Sequence, residues 1–120
     1  MLTAKDISVT VQRWFLSHGI PSRTEYTLPN GRRLDVAGIG KTGYLAGVEI
    51  KLDARDLNRD LKWPVYLQFC KVFYFAVPVG FPLDIIPEKC GILVSDGTTC
   101  RHLRGLTETK RFRQSVLLRA

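Results

Sequence analysis

Apolar residues recur at helical spacing in two regions of the chain and alternate or run together elsewhere. Ile7, Val11, Trp14 and Phe15 follow Thr3-Ala4-Lys5-Asp6, where the acid three residues after the threonine fits a capping box. Gly19 and Pro21 end this first helix, whose single apolar face predicts packing on a sheet. Thr24 to Leu28 reads as a short strand, Pro29-Asn30-Gly31 as a turn, and Arg32 to Lys51 as two strands joined by a glycine-bearing loop. After Lys51 the period becomes helical again. Asp53 is the expected N-cap, with Asp56 in the first turn. Leu57 and Leu61 form the buried stripe, while Arg55, Asp56, Arg59 and Asp60 alternate in sign around it. Pro64 must kink or divide this helix, and Val65 to Cys70 reads as a second helical segment.

Val72 to Val77 is a continuous apolar, β-rich run, the pattern of a strand buried on both faces. A loop from Pro78 to Pro82 and one helical turn before Pro87 lead to a strand over Gly91–Ser95. Asp96-Gly97 is a turn, Cys100–Arg104 an edge strand, and Thr107 or Thr109 the cap of a last helix packed through Phe112, Val116 and Leu117. The predicted class is α/β: an α-β-β-β-α-β core with a mixed central sheet flanked by helices, then a small C-terminal α-β-β-α extension. At 120 residues the whole chain, 1–120, makes one domain.

The long hairpin carries the candidate chemistry. If Lys41-Thr42-Gly43 is a three-residue loop with Gly43 in the left-handed position, Gly40 pairs with Tyr44. That register sets Asp35 opposite Glu49 and Arg33 opposite Lys51, with opposed Cβ atoms about 5 Å apart. Two carboxylates so placed repel unless a cation lies between them, and hard divalent cations take oxygen ligands. Lys51 shares the face of Glu49 and brings a mobile positive charge beside such an ion. A metal to activate water and charge to stabilise an anionic transition state are what phosphodiester hydrolysis requires. The first hairpin leaves a choice. A three-residue loop sets Glu25 opposite Asp35 as a third acid, whereas a two-residue Asn-Gly turn sets Tyr26 there.

Charge sharpens this picture. The net charge is +7, and from Arg101 onward Arg101, Arg104, Lys110, Arg111, Arg113 and Arg119 face the single acid Glu108. Such an excess favours a polyanionic partner. Cys70, Cys90 and Cys100 lack CxxC spacing and a histidine cluster, which argues for reduced thiols rather than a disulfide framework or zinc ribbon. No apolar run approaches the roughly 18 residues of a membrane span and no signal-peptide pattern opens the chain, so a cytoplasmic location, nucleoid-associated in a bacterium, is expected. His18 and His102 have no partners at ligand or triad spacing.

Asp35 and Glu49-x-Lys51 on adjacent strands, in this element order, resemble the PD-(D/E)xK nuclease superfamily, whose fold is restriction-endonuclease-like. A longer set of segments is similar to the MmcB-type DNA-repair family: Gly31-Arg32-Arg33-x-Asp35, Val48-Glu49-Ile50-Lys51, Asp60-x-Lys62-Trp63-x-x-Tyr66 and Phe75-Ala76-Val77-Pro78. Phe81-Pro82-Leu83 and Gly91-Ile92-Leu93-Val94 extend it, so the resemblance covers Thr24 to Asp96. Leu34 stands where the superfamily motif has proline, and neither the first helix nor the basic tail matches the pattern.

The resemblance implies a nuclease fold with Mg2+ or Mn2+ chemistry, Asp35 and Glu49 as metal ligands and Lys51 as the catalytic lysine. The expected function is therefore a metal-dependent deoxyribonuclease in DNA repair, hydrolysing phosphodiester bonds with a metal-activated water. The alternative is a DNA-binding repair module on the same fold that does not cut. Arg33, Lys62 and Tyr66, with Lys110, Arg111 and Arg113 in the tail, are the candidate DNA contacts. A second copy of the chain and other repair proteins are the further partners considered. Asp53, Asp56 and Asp60 read as helix caps and surface ion pairs, and the cysteines as core fillers.

Overall fold

The computed structural model describes residues 1–105. Helix α1 (Ala4–Ser17) leads into strands β1 (Ser22–Thr27), β2 (Arg33–Ile39) and β3 (Leu45–Ile50). Short helices α2 (Ala54–Arg59) and α3 (Trp63–Tyr66) cross to β4 (Val72–Pro78), and a 3-10 turn at Leu83–Ile85 precedes β5 (Gly91–Ser95) and β6 (Cys100–Arg104). The six strands form one sheet in chain order. β1, β2 and β3 are antiparallel neighbours, β4 runs parallel to both β3 and β5, and β6 closes antiparallel on β5. The class is the mixed α/β sheet with flanking helices that the sequence predicts. The two strands of the predicted C-terminal extension join the same sheet, β5 pairing directly with β4. The predicted last helix, from Thr107 or Thr109 onward, lies outside the described residues.

α1 starts at the expected capping box: Asp6 N–H donates to the Thr3 hydroxyl at 3.1 Å, and Thr3 N–H to the Asp6 carboxylate at 2.8 Å. Its Ile7, Val11, Trp14 and Phe15 pack on one sheet face against Val36, Val48, Tyr74 and Leu93. A buried relay pins the helix to β5. Gly97 N–H donates to the Ser95 hydroxyl at 3.1 Å, Ser95 and Thr10 hydroxyls meet at 2.8 Å, and Thr10 donates to Ile7 O at 2.8 Å. The other face buries Leu34, Leu57, Tyr66, Phe73 and Phe75. β4, six of whose residues are buried, is the strand common to both layers.

The middle of the chain departs from expectation in two places. Asp53 caps α2 through Asp56 N–H at 2.9 Å, but the helix ends at Arg59 because Asp60 is extended (φ −82°, ψ 93°). Leu61 therefore falls outside the helix and is 85% exposed instead of joining Leu57 in the core. Pro64 divides the helix rather than kinking it, and sits in the first turn of α3, where a proline's missing N–H costs nothing. The second segment thus begins at Trp63 and ends at Tyr66, earlier than the predicted Val65–Cys70. Among the described residues no helix is long and apolar enough to cross a membrane.

Gly38 on β2 shows how closely α1 lies on the hairpin: a Cβ there would fall 2.5 Å from the buried Phe15 ring. Gly38→Ala is expected to lower stability by about 1–3 kcal/mol through overpacking. Urea denaturation measures it, and an unchanged midpoint would show that Phe15 can move away.

Candidate active site

Both hairpins close with three-residue loops ending in a left-handed glycine, at φ 86° for Gly31 and for Gly43. In the second, Gly40 N–H bonds Tyr44 O at 2.8 Å and Gly43 N–H bonds Gly40 O at 3.0 Å. The pairs Ile39–Leu45, Gly38–Ala46, Ala37–Gly47 and Val36–Val48 follow in the predicted register. In the first, Leu28 N–H bonds Arg32 O at 2.7 Å, and Thr24–Val36 and Tyr26–Leu34 pair. The three-residue alternative is the one adopted, so Glu25 falls across from Asp35.

Beyond Val36–Val48 the β2–β3 ladder stops, while β3 stays on β4 through Glu49–Phe75 and Ile50–Ala76. At this parting the two strands exchange side-chain bonds instead. Asp35 N–H donates to Glu49 Oε1 at 3.1 Å, and Ile50 N–H donates to Asp35 Oδ2 at 2.7 Å. Each carboxylate thus caps the strand that carries the other. Glu49 is 7% exposed. Desolvation pushes its carboxyl up to about 8, with the Asp35 charge adding to the rise and Lys51 opposing it. Asp35 is raised as well, chiefly by burial, against the hydrogen bond from Ile50.

Lys51 is held, not mobile as the sequence suggested. Its ammonium lies 2.8 Å from Asp60 Oδ2, with side-chain exposures of 14% and 11%. The other Asp60 oxygen accepts Lys62 N–H at 2.9 Å, which fixes it in the break between α2 and α3. Asp60, read from sequence as a cap or surface ion pair, is therefore the residue that sequence reasoning missed. No local signal marked it, because the chain turns at Asp60 itself, before Pro64 is reached.

The remaining candidates are dispersed. Tyr66 is 8% exposed, donates its hydroxyl to Arg33 O at 3.3 Å and stacks on Phe73. It forms a wall of the site, with its phenol pushed up to about 12 by burial first and by Glu49 and Asp60 next, rather than a face for DNA. Arg33 is engaged with Glu25 at 3.1 Å in a surface pair, their side chains 62% and 71% exposed. Glu25 is turned to solvent and is not gathered with Asp35 and Glu49. Lys62 is exposed on the opening between the short helices. Lys110, Arg111 and Arg113 lie outside the described residues. His102, given no role from sequence, stacks on Trp14 with centroids 5.7 Å apart and serves the core.

Whether these groups suit a divalent ion follows from the donor set. Among the described residues no cluster of three or more His, Cys, Asp or Glu side chains could cage a metal. Two adjoining carboxylates remain, and Mg2+ binds through one or two carboxylates while keeping several waters. Asp35 and Glu49 fit such an ion, because a cation between them offsets the burial that raises both carboxyls and the Asp35 charge that raises Glu49 further.

A family model described as DNA repair protein MmcB-like matches residues 2–119. Among solved structures, a protein of unknown function from Silicibacter pomeroyi superposes with TM-score 0.82 at 25% identity, over 98% of this chain and 85% of that one. No curated protein matches.

The raised carboxyls have a consequence for stability. A group whose folded pKa is near 8 and whose ordinary value is 4.5 holds its proton longer in the native state. Its contribution is complete at the acid end and is lost as pH rises through that window. Without divalent metal, the melting temperature should fall between roughly pH 5 and pH 8, and Mg2+ or Mn2+ should restore it most at the alkaline end. Glu49→Gln should flatten both trends in calorimetry. A wild-type profile that rises over this window would mean that the carboxyl pair ionises freely.

Proposed function

The chain belongs to the MmcB-like DNA repair protein family, and from that premise we propose that it is a metal-dependent deoxyribonuclease. The observation that carries this reading is the exchange of carboxylate bonds between Asp35 and Glu49 at the parting of β2 and β3, with Lys51 beside it. Asp35 and Glu49 would hold Mg2+ or Mn2+. When bound, the ion supplies the Lewis acidity that lowers the pKa of water and neutralises phosphate charge.

The chain's own groups account for the rest. Glu49 would ionise with a cation beside it, since the opposing charge favours the carboxylate and offsets the burial that raises its pKa. Lys51, oriented by Asp60, presents an ammonium to the oxygens of the phosphate, where negative charge grows as water adds to phosphorus and the ester P–O bond breaks. The attacking water loses its proton to solvent, and the leaving oxygen takes one up from solvent or from Lys51, which regains its own from solvent. Tyr66 and the aromatic layer of Phe73 and Phe75 behind it keep water from the inner side, which strengthens these interactions.

The second reading, a DNA-binding module that does not cut, draws on the same Lys51–Asp60 pair, since a lysine already neutralised has less to offer a phosphate. Against it stands the carboxyl pair. Two facing acids weaken attraction to DNA and are of use beside a phosphate only with a cation between them.

Glu49→Gln keeps shape but removes a charge. It is expected to abolish most cleavage of a panel of single-stranded, duplex, flapped and branched DNAs in Mg2+ or Mn2+, while DNA binding is retained. Lys51→Ala should keep metal affinity and lower the cleavage rate by about 10²-fold or more. Wild-type cleavage matched by both variants would put the chemistry elsewhere, and a wild type that binds every substrate but cuts none would leave the non-cutting module. DNA affinity should also fall steeply with salt, each neutralised phosphate releasing counterions. Replacing Lys110, Arg111 and Arg113 together by glutamine should make that salt slope shallower, and an unchanged slope would remove the tail from the interface.

A further inference from the structure

Asp35 also borders a cleft of about 590 Å³ between the N-terminal half of α1 and the sheet edge formed by β1. The volume is within the ordinary range for a small-ligand site. Val9 and Ile50 give it apolar surface, and Ser8 and Gln12 give it hydrogen-bonding groups from the same helix face. The Gln12 amide N–H groups are turned to Ser8, at 3.2 Å from both its carbonyl and its hydroxyl oxygen, which leaves the Gln12 carbonyl oxygen as an acceptor. Glu25, on the opposite wall, has φ 48°, a left-handed backbone that costs a non-glycine residue stability and recurs at ligand clamps.

Charge decides which part of a DNA strand this cleft suits. Among the described residues Lys5 is the one cation that lines it, against the carboxylate of Asp35, while Glu25 on the rim is paired with Arg33 at 3.1 Å. A phosphate gains little there without a metal on Asp35. A base is neutral and flat, with an apolar face for Val9 and Ile50 and an edge for Gln12 and Ser8. A paired base is stacked in its duplex and must be extruded first, at a cost that is least when the base is already unpaired.

We infer that the cleft receives an unpaired base of the strand whose adjoining phosphate lies at Asp35 and Glu49. The inference rests on the nuclease reading for the position of that phosphate, and it assigns the substrate class: DNA with an unpaired nucleotide beside the cut, as in a single strand, flap or bulge. Helix α1, which lines the cleft, becomes the element that selects substrate.

The test uses the full chain and fluorescein-labelled oligonucleotides of one sequence, presented as single strand, full duplex and duplex with one bulged nucleotide. Binding is read by anisotropy in Ca2+, a hard cation that takes the same oxygen ligands, and cleavage in parallel with Mg2+ or Mn2+. The single-stranded and bulged forms should bind about tenfold or more tighter than the duplex. Val9→Trp, which fills the cleft from a position already 38% exposed, should remove most of that preference, and Gln12→Ala should reduce it, with melting temperatures close to wild type. Equal binding of all three forms, or a preference that survives Val9→Trp, overturns the inference. Preference without cleavage supports the cleft and defeats the nuclease reading. Cleavage without preference does the reverse.

Discussion

Two carboxylates brought together out of water are the constraint around which this molecule is arranged. A lone pair of buried acids would neutralise or separate, because each ion loses hydration and repels the other. Here each is held by a backbone N–H of the opposite strand, Asp35 by Ile50 and Glu49 by Asp35. Those bonds exist only where β2 and β3 stop pairing with one another. The parting in turn requires that β3 be held from its other side, which β4 does through Glu49–Phe75 and Ile50–Ala76. It also requires that β2 be held down, which α1 does by seating Phe15 on Gly38. The loop glycines set the register that makes the two acids meet.

The Lys51–Asp60 pair extends the same logic to charge. A lysine this enclosed needs a partner, and loss of one member of such a pair leaves an uncompensated charge. The chain supplies Asp60 by ending α2 one residue before it and starting α3 at Trp63, with Pro64 in its first turn. The break in the helix is thus a positioning device for the site. Tyr66, at the end of α3, closes the gap by bonding the carbonyl of Arg33, two residues before Asp35.

Much of this was legible in the sequence where a local signal coincided with the tertiary outcome. The capping box at Thr3 and Asp6, the Gly43 loop and the apolar run of β4 each specify their own geometry within a few residues. The Asp35–Glu49 opposition followed from one loop length, since register propagates along a strand. What escaped notice depended on contacts between distant segments. Leu61 has the spacing of a core residue, yet the backbone turn at Asp60 takes it to solvent, and no local pattern announced that turn. Asp60 looked like any acid on a charged helix face because its partner lies nine residues earlier, just past the end of β3. Glu25 hung on one residue of loop length that Pro29-Asn30-Gly31 left open, and even with the acid-facing register its side chain turned to Arg33.

The distribution of charge separates affinity from chemistry. The site itself is acidic: Asp35, Glu49 and Asp60 surround one enclosed lysine, and Glu25 stands on the rim of the adjoining cleft. A net charge of +7 must therefore reside elsewhere, much of it after Arg101. An acidic centre in a basic protein attracts a phosphate strand by its periphery and admits it to the centre only with a cation. On the nuclease reading, then, salt governs whether DNA arrives, metal governs whether the phosphate can approach Asp35 and Glu49, and the cleft beside α1 governs which nucleotide comes with it.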